Sequence, residues 1–327
     1  MNRNTRSALD RMAAQCFPSD EILGDTEMSP RLLNELQDGP PRTVTSVPTR
    51  RPVRRRVLVA AGIVAVAAVG SIVVVPRLNE PTAFAETAPA LQYLPGAPKG
   101  TAGDLLTELA ARAQAQPPVP GSGPYHYVHT RSSFLHTDMT TQMKLLGWRI
   151  EETEREQWRS SDGSGRILQW GERSDMSLDD NYKPGEMDGT ILTGSTEALQ
   201  AELAAQNPKR TAASWFRTVE SVWNVQVVSP ELQSALLRNL AAQPGVTVPG
   251  MTTDRAGRKG IAFSVVDSDE TPVMRYIMVL DPDTGMLLDF ESIALEKFED
   301  IPMKTPATIG YTVWLDTGFT ASTTERP

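Results

Sequence analysis

The chain has 327 residues with 40% hydrophobic, 6% aromatic and 22% charged residues, the composition of a folded protein of one large or two small domains. Its net charge of −8 and pI of about 5.1 give no support to nucleic-acid binding. A single cysteine, Cys16, excludes an internal disulfide and a cysteine zinc cluster, and three histidines make a His-rich metal site implausible.

The N-terminal 56 residues hold ten arginines against seven acids. Ala8–Cys16 and a stretch opened by Ser29-Pro30 read as short helices, and a Pro/Thr/Arg linker follows Gly39-Pro40-Pro41. From Val57 to Val75 the chain has neither charge nor proline. As a helix this run is about 28 Å long, the thickness of a bilayer's hydrocarbon core, and it lacks the polar stripe of a globular helix. Arg50, Arg51, Arg54, Arg55 and Arg56 precede it and only Arg77 lies close behind. Basic residues stay on the cytoplasmic side, so the sequence predicts a single-pass protein of the cell membrane. Its tail (1–56) is then cytoplasmic, its transmembrane helix covers 57–75, and the acidic bulk is extracytoplasmic. The lipid bilayer is the first expected partner. Ala83-Phe84-Ala85 resembles a cleavage site, but it lies about ten residues beyond a full-length span, which argues against a removed leader.

Residues 76–98 read as a proline- and alanine-rich stalk, and 99–327 as one extracytoplasmic α+β domain. Thr101 and Asp104 have capping-box spacing ahead of a helix whose Leu105, Leu106, Leu109 and Ala113 share a face. Tyr125–Leu135 reads as a strand, and Arg149–Arg159 pairs with Arg166–Trp170 around Asp162-Gly163-Ser164-Gly165. A helical insert follows: Thr196–Gln206, Thr211–Trp223, and a helix capped by Ser229 with Pro230 in its first turn and Leu232, Leu236 and Leu240 in register. An antiparallel meander closes the chain, with Ile261, Phe263 and Val265 alternating, Val273–Leu280 central, Met286–Leu295 next, and Ile309, Tyr311, Val313 and Leu315 on one face of the last strand. Asp281-Pro282-Asp283-Thr284-Gly285 makes the turn between two of these strands. The expected fold is a curved, half-barrel-like antiparallel sheet carrying a helical insert.

The order of tail, span and stalk, followed by Tyr125-His126-Tyr127-Val128, Glu156-Gln157-Trp158, Asp162-Gly163-Ser164-Gly165-Arg166 and Leu280-Asp281-Pro282-Asp283-Thr284-Gly285-Met286-Leu287-Leu288, resembles an uncharacterised actinobacterial family of single-pass membrane proteins, many encoded beside extracytoplasmic-function sigma factors. More distantly, strands enclosing a helical insert are similar to the half-barrels of periplasmic lipoprotein carriers and sigma-regulator sensors. The resemblance implies a sensor or binding module with a cytoplasmic sigma factor as partner. A zinc-type anti-sigma tail needs a histidine and paired cysteines, and this tail has Cys16 and no histidine.

Chemistry-bearing residues have plain alternatives. His126 and His129 fall on opposite faces of a strand and cannot share a metal. Asp267, Asp269 and Glu270, like Asp281 and Asp283, are acids where turns want Asp, short of a calcium loop's ligand count. Glu151, Glu152, Glu154 and Glu156 read as a solvated acidic hairpin. Neither a nucleophile elbow nor a phosphate loop occurs, so no catalytic, metal or cofactor site is expected and the chain reads as a non-enzyme. Trp215, Phe216, Trp223, Leu236 and Leu240 are either core or the lining of an apolar groove between insert and sheet, whose occupant would be an apolar envelope ligand or a protein partner. The alternative function is lipid or lipoprotein handling, with the tail as an anchor only.

Overall fold

The computed structural model describes residues 87–96, 98–140, 145–171, 173, 176–187, 189, 191–192, 203, 205 and 211–327. The tail, the apolar run with its arginines, the first part of the stalk and most of the helix expected over 196–206 lie outside the described residues. Among the described residues no helix is long and apolar enough to cross a membrane.

Ten strands and three helices are described: β1 (Tyr93–Leu94), α1 (Ala102–Gln114), β2 (Tyr125–Met139), β3 (Leu145–Ser160), β4 (Gly165–Gly171), β5 (Leu178–Tyr182), α2 (Ala212–Val225), α3 (Pro230–Ala241), β6 (Thr247–Thr253), β7 (Lys259–Asp267), β8 (Met274–Leu280), β9 (Leu287–Ala294) and β10 (Ala307–Thr320). The strands form one open sheet in the order β1-β6-β7-β8-β9-β10-β2-β3-β4-β5, antiparallel throughout. The two β blocks that flank the insert in sequence are thus one sheet. β10 joins them, pairing with β9 along its first half and β2 along its second.

Local signals act as expected at the helix ends. Thr101 and Asp104 satisfy each other's backbone N–H in a capping box, at 3.1 and 3.2 Å. The Ser229 hydroxyl accepts from the Leu232 N–H at 3.3 Å and Pro230 fills the first turn of α3. Apolar side chains at helical spacing then bury one stripe of each helix against the sheet, and Phe263, Met278 and Phe290 meet them there. The Asp281–Met286 turn closes β8–β9. Asp281 Oδ1 accepts from the N–H groups of Asp283 and Thr284 at 2.9 and 2.8 Å, and Gly285 takes φ +72°. A side chain at Gly285 would meet the Leu109 carbonyl at 3.0 Å, because Gln233 of α3 and Arg112 of α1 both donate to this turn.

Two expectations change. β10 does not keep its odd residues on one face. A bulge between Thr308 and Gly310 leaves Ile309 in the helix-side core and turns Tyr311 to the opposite face, where it lies across from Glu291. The folded unit also begins ahead of Thr101. The end of the expected stalk crosses the helix-free face of the sheet: Ala88 bridges to Thr308 of β10, Leu91 buries itself over Ala262, Ile277, Val279, Leu288 and Ile293, and β1 pairs with β6. The buried Thr252 hydroxyl donates to the Gln92 carbonyl at 2.8 Å. Residues 87–94 are therefore a strap. Leu91→Ala should destabilise the chain by about 2 kcal/mol, read as a lower midpoint in chemical denaturation; an unchanged midpoint would show that the strap contributes no burial energy.

Candidate functional site

Trp215, Phe216 and Trp223 on α2 and Leu236 and Leu240 on α3 are brought together, and all five are buried in the helix-side core. Phe216, Leu236 and Leu240 have no exposed surface. Trp223 is held from its backbone as well, its carbonyl accepting from Trp314 Nε1 at 3.1 Å. Here these side chains pack on one another and on the sheet, and none lines the cleft described next.

That cleft, of about 850 Å³, opens beside them at the edge of the sheet. Three local features make it. Thr211 and Ser214 form a capping box at 3.1 and 2.9 Å, which fixes where α2 begins and presents Ala212 and Ala213. Pro244-Gly245 ends α3, with Gly245 at φ +83°, and turns the chain away before β6. β6 then pairs with β7 no further than Thr247↔Ser264, so Val265, Val266 and Asp267 extend past its end. Tyr93 and Arg275 complete the walls. The volume suits a small ligand or a few residues of chain.

Behind the cleft, Arg217 of α2 contacts Glu270, Asp267 at 3.3 Å and the Tyr276 hydroxyl at 3.1 Å, and the hydroxyl donates to Glu270 at 2.8 Å. Its guanidinium lies 5.4 Å from the Tyr276 ring centroid. Burial works against the Arg217 charge, but Tyr276, Glu270 and Asp267 hold its pKa above the ordinary value; burial and Glu270 raise that of Tyr276. A guanidinium thus sits where the Asp267–Glu270 cluster would have to take calcium. Among the described residues no group of three or more His, Cys, Asp or Glu has a metal-binding arrangement.

The histidines are kept apart. His126 Nδ1 accepts from the Val227 N–H at 3.1 Å, and burial holds its pKa below the usual range. His129 faces Glu154 at 2.8 Å and His136 lies 3.3 Å from Glu151.

The acidic hairpin is not solvated as a whole, which corrects the sequence expectation. Glu151 and Glu156 are buried, and each has cationic company. Arg149 contacts Glu151, while Arg326 and the Tyr127 hydroxyl (2.6 Å) meet Glu156. Burial pushes the Glu156 carboxyl upward, but Arg326 and Tyr127 outweigh it and leave the pKa below the ordinary value. The Asp162-Gly163-Ser164-Gly165 turn signal places these acids on a hairpin, but nothing local to them shows that Arg326, 170 residues away, closes over Glu156.

The helix-free face carries a second charged cluster. The β6–β7 turn places Arg255 and Arg258 over β9 and β10. Asp254, fully buried, accepts from Arg258, whose guanidinium also donates to the carbonyls of Trp314 and Leu288 at 2.8 and 2.9 Å. Arg255 meets Glu291 at 2.6 Å and lies 5.2 Å from the Tyr311 ring centroid, and its N–H donates to Asp289 at 3.2 Å. Asp289 and Glu291 have no exposed surface, and each keeps one oxygen without a hydrogen-bond partner. Burial, then Glu291, pushes the Asp289 carboxyl up to about 8. The hydroxyl of Tyr311 donates to Glu152 at 2.7 Å; burial and that carboxylate push it up to about 12. This cluster welds the β6–β7 turn to the middle of the sheet.

No protein-family model matches the chain, and no curated protein matches it. Among solved structures it is similar to MucB, with 15% identity, 69% of this chain covered and a TM-score of 0.26; the chain spans 60% of the length of that one. It is also similar to a LolA-superfamily protein from Nitrosomonas europaea (8% identity, 67% of this chain and 94% of that one, TM-score 0.17). A third is a putative outer membrane lipoprotein-sorting protein domain from Vibrio parahaemolyticus (12% identity, 66% and 90%, TM-score 0.18).

Proposed function

We propose that the chain is a non-enzymatic, membrane-anchored extracytoplasmic binding and sensor module, linked through its cytoplasmic tail to sigma-factor regulation. One observation carries the reading. A folded sheet-and-helix unit with a ligand-sized cleft follows, in the same chain, an arginine-flanked run of bilayer length. The cleft's polar groups, among them Asp269, Arg275 and the Thr247 and Ser264 hydroxyls, suit recognition. An occupant on one side of the bilayer and a partner on the other are then joined by a single helix.

The tail decides between signalling and anchoring. Residues 1–49 are replaced by an unrelated sequence of equal length, the arginines at 50–56 being kept, and transcription after envelope stress is measured in the native host. Loss of the response supports signalling. An unchanged response overturns it and favours envelope lipid or lipoprotein handling, which native mass spectrometry and solvent extraction of the full chain would register as a bound acyl species.

A further inference from the structure

The cleft beside β7 has the form of a missing strand. Hydrogen-bonding direction alternates along a strand. Arg258 faces β6, since its carbonyl accepts from the Asp254 N–H at 2.8 Å, and so does Ser264, whose carbonyl accepts from the Thr247 hydroxyl at 3.2 Å. Counting by twos, the N–H and C=O of Val266 point the same way, past the end of β6 and into the cleft. Side chains alternate as well. Val265 belongs to the helix-side core, so Val266 points to the other face beside its cross-strand partner Arg275, and it is 47% exposed. The cleft is therefore open on both faces of the sheet plane. Ala212, Ala213 and Val265 line the helix side; Val266, Arg275 and Tyr93 line the other. Arg275 and the exposed Asp269 have no ion-pair partner among the described residues, and the cleft holds both.

We propose that this cleft captures an extended polypeptide segment, which adds to the free edge of β7 as a short strand in line with β6. The main chain of such a segment matches the donor and acceptor of Val266. Its alternate side chains enter the two walls, and a basic and an acidic side chain meet Asp269 and Arg275. A lipid chain meets the apolar walls but leaves the strand edge and both charges unmatched. The inference deepens the proposed function by naming the occupant's class, and it rests on that reading.

The test is amide hydrogen exchange on the full chain in detergent, with and without a pool of random-sequence octapeptides. In the free chain the Val266 amide exchanges at nearly the rate of an unstructured peptide. The pool slows it by about tenfold or more, and a pool N-methylated at alternate residues does not. Asp269→Lys, at an exposed turn, leaves the fold intact and shifts the retained peptides from basic to acidic. A Val266 amide protected before peptide is added overturns the proposal, as does a pool that leaves exchange unchanged. Protection in a chain whose tail proves dispensable upholds capture and overturns signalling. A tail-dependent response without protection does the reverse.

Discussion

Phe216→Ala lowers the unfolding free energy of the full chain by about 4 kcal/mol, the range for removing a fully buried aromatic ring. Phe216 has no exposed surface and lies in one cluster with Trp215, Trp223, Leu236 and Leu240. The ring's loss leaves a void that its neighbours fill in part, so transfer and cavity costs add. Denaturant unfolding followed by tryptophan fluorescence reads the change where Trp215 and Trp223 report it. The measurement also separates the two sequence readings of these residues. A groove lining kept open for a ligand contributes little stability when empty, so a Phe216→Ala chain as stable as the parent would place these side chains in a binding groove.

Asp289→Asn removes a pH dependence. The carboxyl titrates near 3.8 in an unfolded chain and is pushed up to about 8 in the folded one. Between those values the native state holds a proton that the unfolded state has released, so this group's contribution to stability falls as pH rises from about 4 to 8. Asparagine keeps an acceptor for the Arg255 N–H and carries no charge to bury. The variant should match the parent near pH 4 and exceed it by a few kcal/mol near pH 8, seen as a thermal midpoint that declines less over that range, the remaining fall coming from groups such as Glu291, whose carboxyl burial also raises. Parallel profiles would show that Asp289 is ionised within the fold at modest cost, with Arg255 compensating it.

Local chemistry was legible where it acts over a few residues. Thr101, Ser229, Pro230 and Gly285 each solve a nearby backbone problem, and the elements they bound stand within a residue or two of expectation. The β8 run, apolar on both faces, reads as a central strand because burial on two sides leaves no polar alternation, and it lies between β7 and β9. What escaped depends on distant partners. Glu156 looks solvated until Arg326 covers it, and Leu91 looks like spacer until the sheet's far face supplies Ala262 and Val279. The cleft was invisible for a related reason. Pro244-Gly245 announces only that α3 stops; that β6 then begins too late to cover Val266 is a matter of register, set by a slip between Thr247 and Gly250. The five apolar candidates were found by helical spacing, and that spacing cannot say whether a shared face meets a ligand or a sheet.

The strap has a mechanical consequence. A pull on the chain ahead of residue 87 loads its attachments one after another: the Ala88–Thr308 bridge, then Leu91, then the Thr252 bond to Gln92, and last the two pairs of β1 with β6. Contacts loaded one at a time, as in a zipper, each yield at their own small force, whereas contacts strained together share the load. Tension would therefore peel residues 87–94 from the sheet while leaving the Arg255 and Arg258 cluster beneath intact, and about five residues of slack would be released before the edge strand itself is reached.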